Sequence, residues 1–222
     1  LFLGELRQGA LEGVMTDAVA KASGMPVSDV RRAAMLAGDL PAVAKVAVAE
    51  GSEGLSRFGL AVLSPLKPML AQTADDLEDA FVRIRPAAVE WKLDGARIQV
   101  HRSGGEVRAF TRNLAEITDR VPEIVEAVLE LPVDAAVLDG EAIALQEDGR
   151  PRTFQATMSR FGTKASPSEL RKRVPLSSFF FDLLHLDGED LIDRPARERL
   201  AALDEHLPES LRVRRIEPSD PA

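Results

Sequence analysis

Glu90-Trp91-Lys92-Leu93-Asp94-Gly95-Ala96-Arg97-Ile98-Gln99-Val100-His101 is the stretch that decides the fold of this chain. From Ala96 to His101, Ala, Ile and Val alternate with Arg, Gln and His, the two-residue period of a half-buried strand. Ser103-Gly104-Gly105 follows and suits a hairpin turn, with Glu106 to Thr111 as the return strand. Upstream, Ala87 to Leu93 also reads as a strand. Extended residues there would project Glu90, Lys92 and Asp94 from one face.

Working outward, the texture downstream stays mixed. Val121 to Leu131 reads as a helix and Ala135 to Leu145 as a strand. Thr153 to Arg160 and Pro195 to Leu207 read as helices, with a strand over Ser177 to Leu184 between them. Upstream, the two prolines in Ser64-Pro65-Leu66-Lys67-Pro68-Met69-Leu70 favour an extended connector and exclude a continuous helix. Before the connector, to about Gly59, the chain is Ala-rich and helical, with Leu6, Ala10, Leu11, Val14 and Ala18 at helical spacing. Ser28 after Pro26 is expected to cap a second helix. Asp39 with Pro41 is expected to open a third that ends near Gly51. The fold class is therefore α+β, a helical block followed by a mixed domain.

The 222 residues, 45% hydrophobic and 29% charged, are those of a soluble globular protein with a normal core. No apolar run is long enough to span a bilayer, and the first residues lack the layout of a signal peptide. The absence of cysteine excludes disulfides, thiolate metal sites and a thiol nucleophile. A cytoplasmic protein is the expectation. The net charge of −8 is not the bulk signature of a protein that grips phosphate backbones. Local patches survive such a total, because salt screens each charge beyond roughly 8–10 Å. Arg150, Arg152, Arg160, Lys164, Arg171, Lys172 and Arg173, opposed only by Glu169 between Gly149 and Phe181, are either a solvated surface or a nucleic-acid track.

Lys92 carries the chemical interest. A lysine between two carboxylates is a comfortable cation, and an amine must lose its proton before it can attack phosphorus. Triphosphate-bound Mg²⁺ and nearby basic residues could supply the charge that favours this. On residue chemistry alone, an exposed strand lysine with charged neighbours is the plainer description.

The pattern as a whole adds to this. Lys92-Leu93-Asp94-Gly95-Ala96-Arg97 resembles the Lys-x-Asp-Gly-x-Arg motif of the covalent nucleotidyltransferases: DNA ligases, RNA ligases and messenger-RNA capping enzymes. Further matches follow in family order. They are Thr111-Arg112-Asn113-Leu114-Ala115-Glu116-Ile117-Thr118, then Leu138-Asp139-Gly140-Glu141, then the run Phe179-Phe180-Phe181-Asp182-Leu183-Leu184-His185-Leu186-Asp187-Gly188. The resemblance implies that Lys92 becomes linked to AMP through a phosphoramidate and that Glu90 recognises the adenine edge. It implies that Arg97 and Arg112 contact the nucleotide or its phosphates, and that Glu141 holds the ribose hydroxyls, directly or by way of a metal. Phe181 would stack on the adenine face. Asp94 and Asn113 lie within matched motifs without an assigned role, and the metal ligands are unassigned.

Several of these residues also have plain readings. By alternation Phe179 and Phe181 share a face while Phe180 packs opposite, and phenylalanines in a strand are usually core. Glu141 follows a glycine in an apolar strand, where a lone buried carboxylate is costly unless paired or ligand-bound. His101, His185 and His206 form no metal set and read as surface or packing residues.

The segment Leu3-Gly4-Glu5-Leu6-Arg7-Gln8-Gly9-Ala10-Leu11-Glu12-Gly13-Val14 resembles the end of the helical DNA-binding domain of archaeal-like and some bacterial ATP-dependent DNA ligases. On that resemblance, residues 1–60 are the C-terminal part of the helical domain. Residues 61–222 are the N-terminal portion of an adenylation domain (nucleotidyltransferase, ATP-grasp-like) with antiparallel sheets. The family's later Glu-Gly and Lys-rich motifs and its oligonucleotide-binding domain are not found, so the chain is expected to be a fragment that self-adenylates poorly. The implied cofactors are ATP and Mg²⁺. The implied partner is nicked double-stranded DNA, met by a monomer away from membranes in the bacterial or archaeal cytoplasm and nucleoid, with a sliding clamp left open. An RNA ligase, a capping enzyme and an inert nucleotide- or DNA-binding module are the alternatives.

Overall fold

The computed structural model describes residues 9–84, 86–162 and 166–217 and divides into two compact units, 1–68 and 69–222. The first unit is helical. Helix α1 (Gly9–Ser23), α2 (Val27–Ala37) and α3 (Leu40–Ser56) bury Ala20, Val30, Ala33, Val43, Ala47 and Leu55 against one another. Leu6 of the expected pattern lies outside the described residues. Gly38, at φ 66°, closes α2 in the left-handed conformation that glycine adopts cheaply. Asp39 caps α3 by accepting the Ala42 N–H at 3.2 Å, and Pro41 sits in the first turn, where its missing N–H costs nothing. Two expectations fail here. Pro26, not Ser28, occupies the cap position of α2, and the Ser28 hydroxyl instead donates to Asp29. The third helix does not end near Gly51 but kinks there, at φ 61°, and resumes to Ser56.

The second unit is built on a five-stranded antiparallel sheet. After α4 (Leu77–Arg83) come β1 (Val89–Glu90), β2 (Ala96–Ser103), β3 (Glu106–Thr111), α5 (Pro122–Leu129) and β4 (Ala135–Ala144). Then follow α6 (Phe154–Gly162), α7 (Pro167–Arg173), β5 (Leu176–Leu186), β6 (Glu189–Asp190), α8 (Ala196–His206) and β7 (Arg215–Ile216). The strand order is β3-β2-β4-β5-β6, while β1 pairs with β7 in a separate two-stranded ladder. The β2–β3 hairpin turns on Gly104-Gly105, with Ser103 opposite Glu106. One face of the sheet is apolar: Ile98, Val100, Leu138 and Leu183 join Ile124 and Val128 of α5 and Leu203 of α8 in the main core. Alternation therefore puts Arg97, Gln99 and His101 of β2, and Asp139 and Glu141 of β4, on the opposite face.

The strand expected over Ala87–Leu93 shrinks to Val89–Glu90, because β7 pairs with those residues alone. Residues 91–94 leave the ladder, so the argument that Glu90, Lys92 and Asp94 share a strand face does not hold. The expected basic run is not one surface either. Arg160 is fully buried and paired with Glu123, and Arg171 is tied to Glu126. Arg152 folds onto the carbonyls of Leu145 and Arg173, and Lys164 lies outside the described residues.

Candidate active site

Two glycines bring the motifs together. Gly95 crosses β4 so closely that a Cβ there would stand 2.4 Å from the Ala142 carbonyl oxygen and 2.6 Å from Ile143 Cγ1. Its N–H donates to Glu141 Oε1 at 3.1 Å, which clamps the segment carrying Lys92 onto β4. Gly140 meets β5 just as closely, a Cβ there falling 2.7 Å from the Phe179 carbonyl oxygen. On β5 the register slips at this point: Gly140 pairs with Phe180 and Asp139 with Asp182, so Phe181 is an extra residue in a bulge. A bulge re-aims its side chain. The Phe181 ring faces Arg97, whose guanidinium carbon is 5.3 Å from the ring centroid, while Phe180 is fully buried in the core.

A cavity of about 500 Å³ opens beside this junction. Lys92, Asp94, Arg97, Arg112, Asn113 and Glu141 form its polar lining. Ile117 and the α6 stripe Phe154, Met158 and Phe161 form an apolar wall. Lys92 is exposed, and its ammonium donates to the Leu93 carbonyl at 3.2 Å. Arg112 and Asn113 stand on a tight turn in which Leu114 is held at φ 65°. Three bonds close the turn: Leu114 N–H to the Thr111 carbonyl, Thr111 N–H to the Ala115 carbonyl, and Ala115 N–H to the Thr111 hydroxyl. Burial pushes the Glu141 carboxyl above its ordinary range, against the Gly95 N–H, Lys92 and Arg97, which favour its charged form.

Arg97 is committed within the protein. Its Nε and Nη2 reach the two oxygens of Asp139 at 3.1 and 2.5 Å, and its Nη1 donates to the Met69 carbonyl at 3.1 Å. Asp139 is 2% exposed, and burial raises its pKa despite the arginine. Glu90 and Phe181 do not line the cavity. Glu90 sits on β1, where desolvation, opposed by Arg215 and reinforced by Asp182, raises its carboxyl. The structure thus gathers Lys92, Arg97, Arg112 and Glu141 around one cavity and leaves Glu90 and Phe181 outside its lining. The role of Asp139 and the α6 wall were not foreseen. A buried acid on the face of Glu141 and the spacing 154/158/161 were the available signals.

A family described as "ATP dependent DNA ligase domain" matches residues 68–219. The chain belongs to this family. A "Probable DNA ligase" of Anaeromyxobacter sp. (strain Fw109-5) is 59% identical over all of this chain and 43% of the relative. Those of Sorangium cellulosum (strain So ce56) and Mycolicibacterium gilvum (strain PYR-GCK) are 56% and 57% identical, over 98% and 100% of this chain and 41% and 43% of the relatives. The ligase-family chain thus spans less than half the length of the curated relatives it matches. A solved mycobacterial DNA ligase D, described as complexed with ATP and MES, matches 53% of this chain and 35% of that one, at 26% identity and TM-score 0.40. At that score the likeness adds nothing to the sequence relationship. Among the described residues of this ligase-family chain, no helix is long and apolar enough to cross a membrane.

Proposed function

We propose that the protein is an ATP-dependent DNA ligase that seals nicks in duplex DNA through an AMP-linked Lys92. Residues 1–60 would be the C-terminal part of a helical DNA-binding domain and residues 61–222 the N-terminal portion of the adenylation domain. The observation that carries the reading is the convergence of Lys92, Arg112 and Glu141 on one cavity, with the lysine segment bonded to Glu141 through Gly95.

The deprotonated Lys92 amine attacks the α-phosphorus of ATP. A nitrogen–phosphorus bond forms, the bond to the bridging oxygen breaks, and pyrophosphate leaves with the electron pair. A 5′-phosphate oxygen at the nick then takes the AMP and frees Lys92. Attack by the 3′-hydroxyl joins the strands and expels AMP. Little of this requires covalent help beyond the lysine, so orientation and charge carry the acceleration. Arg112, a permanent cation on a rigid turn, suits a phosphate, and Glu141 suits ribose hydroxyls. Glu90 and Phe181 would meet the base. Among the described residues, no three acidic or imidazole side chains converge to hold a metal ion. Mg²⁺ would enter with the triphosphate, as part of the substrate, with Asp94 and Glu141 the carboxylates of the cavity. The enzyme would act as a monomer in the bacterial cytoplasm.

The test is incubation with α-labelled ATP and Mg²⁺, then a denaturing gel and peptide mapping, on this chain and on the full-length protein. Acid-labile label on Lys92, abolished by Lys92→Ala, is the expected result. A silent chain beside a labelled full-length protein would assign the missing groups to the remainder of the protein. No label on either, with ATP or GTP, would overturn the reading.

A further inference from the structure

Arg97 holds an unusual position for a cation beside a candidate nucleotide cavity, because protein acceptors on two sides already fix its guanidinium. Asp139 takes two of its N–H groups and the Met69 carbonyl a third, and the guanidinium lies over the ring of Phe181. Asp139 is nearly sealed from solvent, and a buried ion pair adds little net stability while demanding one geometry. That geometry has a visible consequence. The bulge that releases Phe181 from the ladder lies opposite the Asp139–Gly140 step, so the acid that grips Arg97 and the ring that Arg97 faces meet at one point of the sheet.

We infer that Asp139 is a positioning residue for the base of the nucleotide: by pinning Arg97 against Phe181 it holds that ring as a fixed platform for a purine. The guanidinium occupies one face of the ring and assigns the base to the other. A bulge re-aims the side chain it releases, and the Arg97 guanidinium lies against the ring so re-aimed. Asp139 touches no substrate in this scheme. The inference rests on the nucleotide reading above.

Isothermal titration calorimetry of this chain with ATP and with inorganic tripolyphosphate separates the two. Asp139→Asn and Phe181→Leu are each expected to weaken ATP binding about tenfold, the size of a lost cation–π or stacking contact, and to leave tripolyphosphate unchanged. The double variant should bind ATP no more than about twofold worse than Phe181→Leu alone, because the two residues act as a unit. Additive losses, an unaltered Asp139→Asn, or equal losses for tripolyphosphate would overturn the inference and leave the nucleotide reading standing. A wild-type chain that binds neither ligand moves the same titrations to the full-length protein, where binding of neither would overturn both. If Asp139→Asn fails to fold, Asp139→Asn with Arg97→Gln restores a neutral hydrogen-bonded pair without the cation. That variant should fold and show the same ATP-specific loss, and wild-type ATP affinity in it would overturn the inference.

Discussion

His101 makes the second unit sensitive to acid, and the size of the effect follows from its surroundings. The ring is fully buried on β2, its Nε2 lies 2.8 Å from Gln99 Oε1, and it meets the Phe110 ring edge-on at 5.2 Å between centroids. Burial, with a smaller contribution from His185, lowers its pKa from 6.5 to about 4. An unfolded chain takes up a proton at this residue below pH 6.5, whereas the folded chain holds out to about pH 4. Protons therefore favour unfolding between those limits, and stability falls as pH drops from about 6.5 to 4. The gap between 6.5 and about 4, at 1.36 kcal/mol for each tenfold change in proton concentration, comes to about 3 kcal/mol. Asp139 and Glu141, whose folded pKa values are raised, shift stability in the opposite direction as pH falls, so the wild-type profile alone does not isolate His101. His101→Gln does. It keeps a donor toward Gln99 and removes the titration. Urea denaturation followed by emission of Trp91, the chain's single tryptophan, reports on residues 69–222. Between pH 7 and pH 4 the wild type should lose about 3 kcal/mol more than His101→Gln. Equal losses would refute the reasoning.

Three further outcomes are expected. Gly95→Ala should cost about 3 kcal/mol in the same denaturation, since its Cβ has no room beside the Ala142 carbonyl, and should abolish any labelling of Lys92. Arg160→Met should cost about 3–5 kcal/mol because it strands the largely covered Glu123 carboxylate, and Arg160→Met with Glu123→Leu should recover most of the loss. Asp39→Ala removes the cap of α3 and should cost about 1 kcal/mol, read as a lower thermal midpoint of the helical unit with the second unit unchanged.

Much of the fold was legible because the strands obey simple periods. The β2–β3 hairpin, β4 and the helices over 122–129 and 196–206 fall within a residue or two of the expectation. Two of the failures share a cause, which is that partners distant in sequence decide the local structure. Val89–Glu90 is short because β7, more than a hundred residues away, offers only two partners. Arg160 looks like any surface cation until α5 presents Glu123, and the turn before α5 and the end of α7 present the Arg120 and Val174 carbonyls. The short helices α4 and α7 were missed although Asp76 and Ser166 supply ordinary caps, because two turns are too few to establish a period. The candidate site was legible as ordered motifs but not as an arrangement. Nothing in the spacing of Leu138-Asp139-Gly140-Glu141 says that its first acid belongs to Arg97 and its second to Gly95.

That division of labour on β4 explains why two carboxylates two residues apart can behave so differently. Both face the same side of the strand, and burial raises both. Asp139 lies deeper and grips the Arg97 fork with both of its oxygens, so it is engaged within the protein. Glu141 is less buried and receives a single backbone N–H on one oxygen, so its other oxygen remains for the cavity. On the function proposed above, this unequal depth would make one the scaffold of the base platform and leave the other to meet the nucleotide.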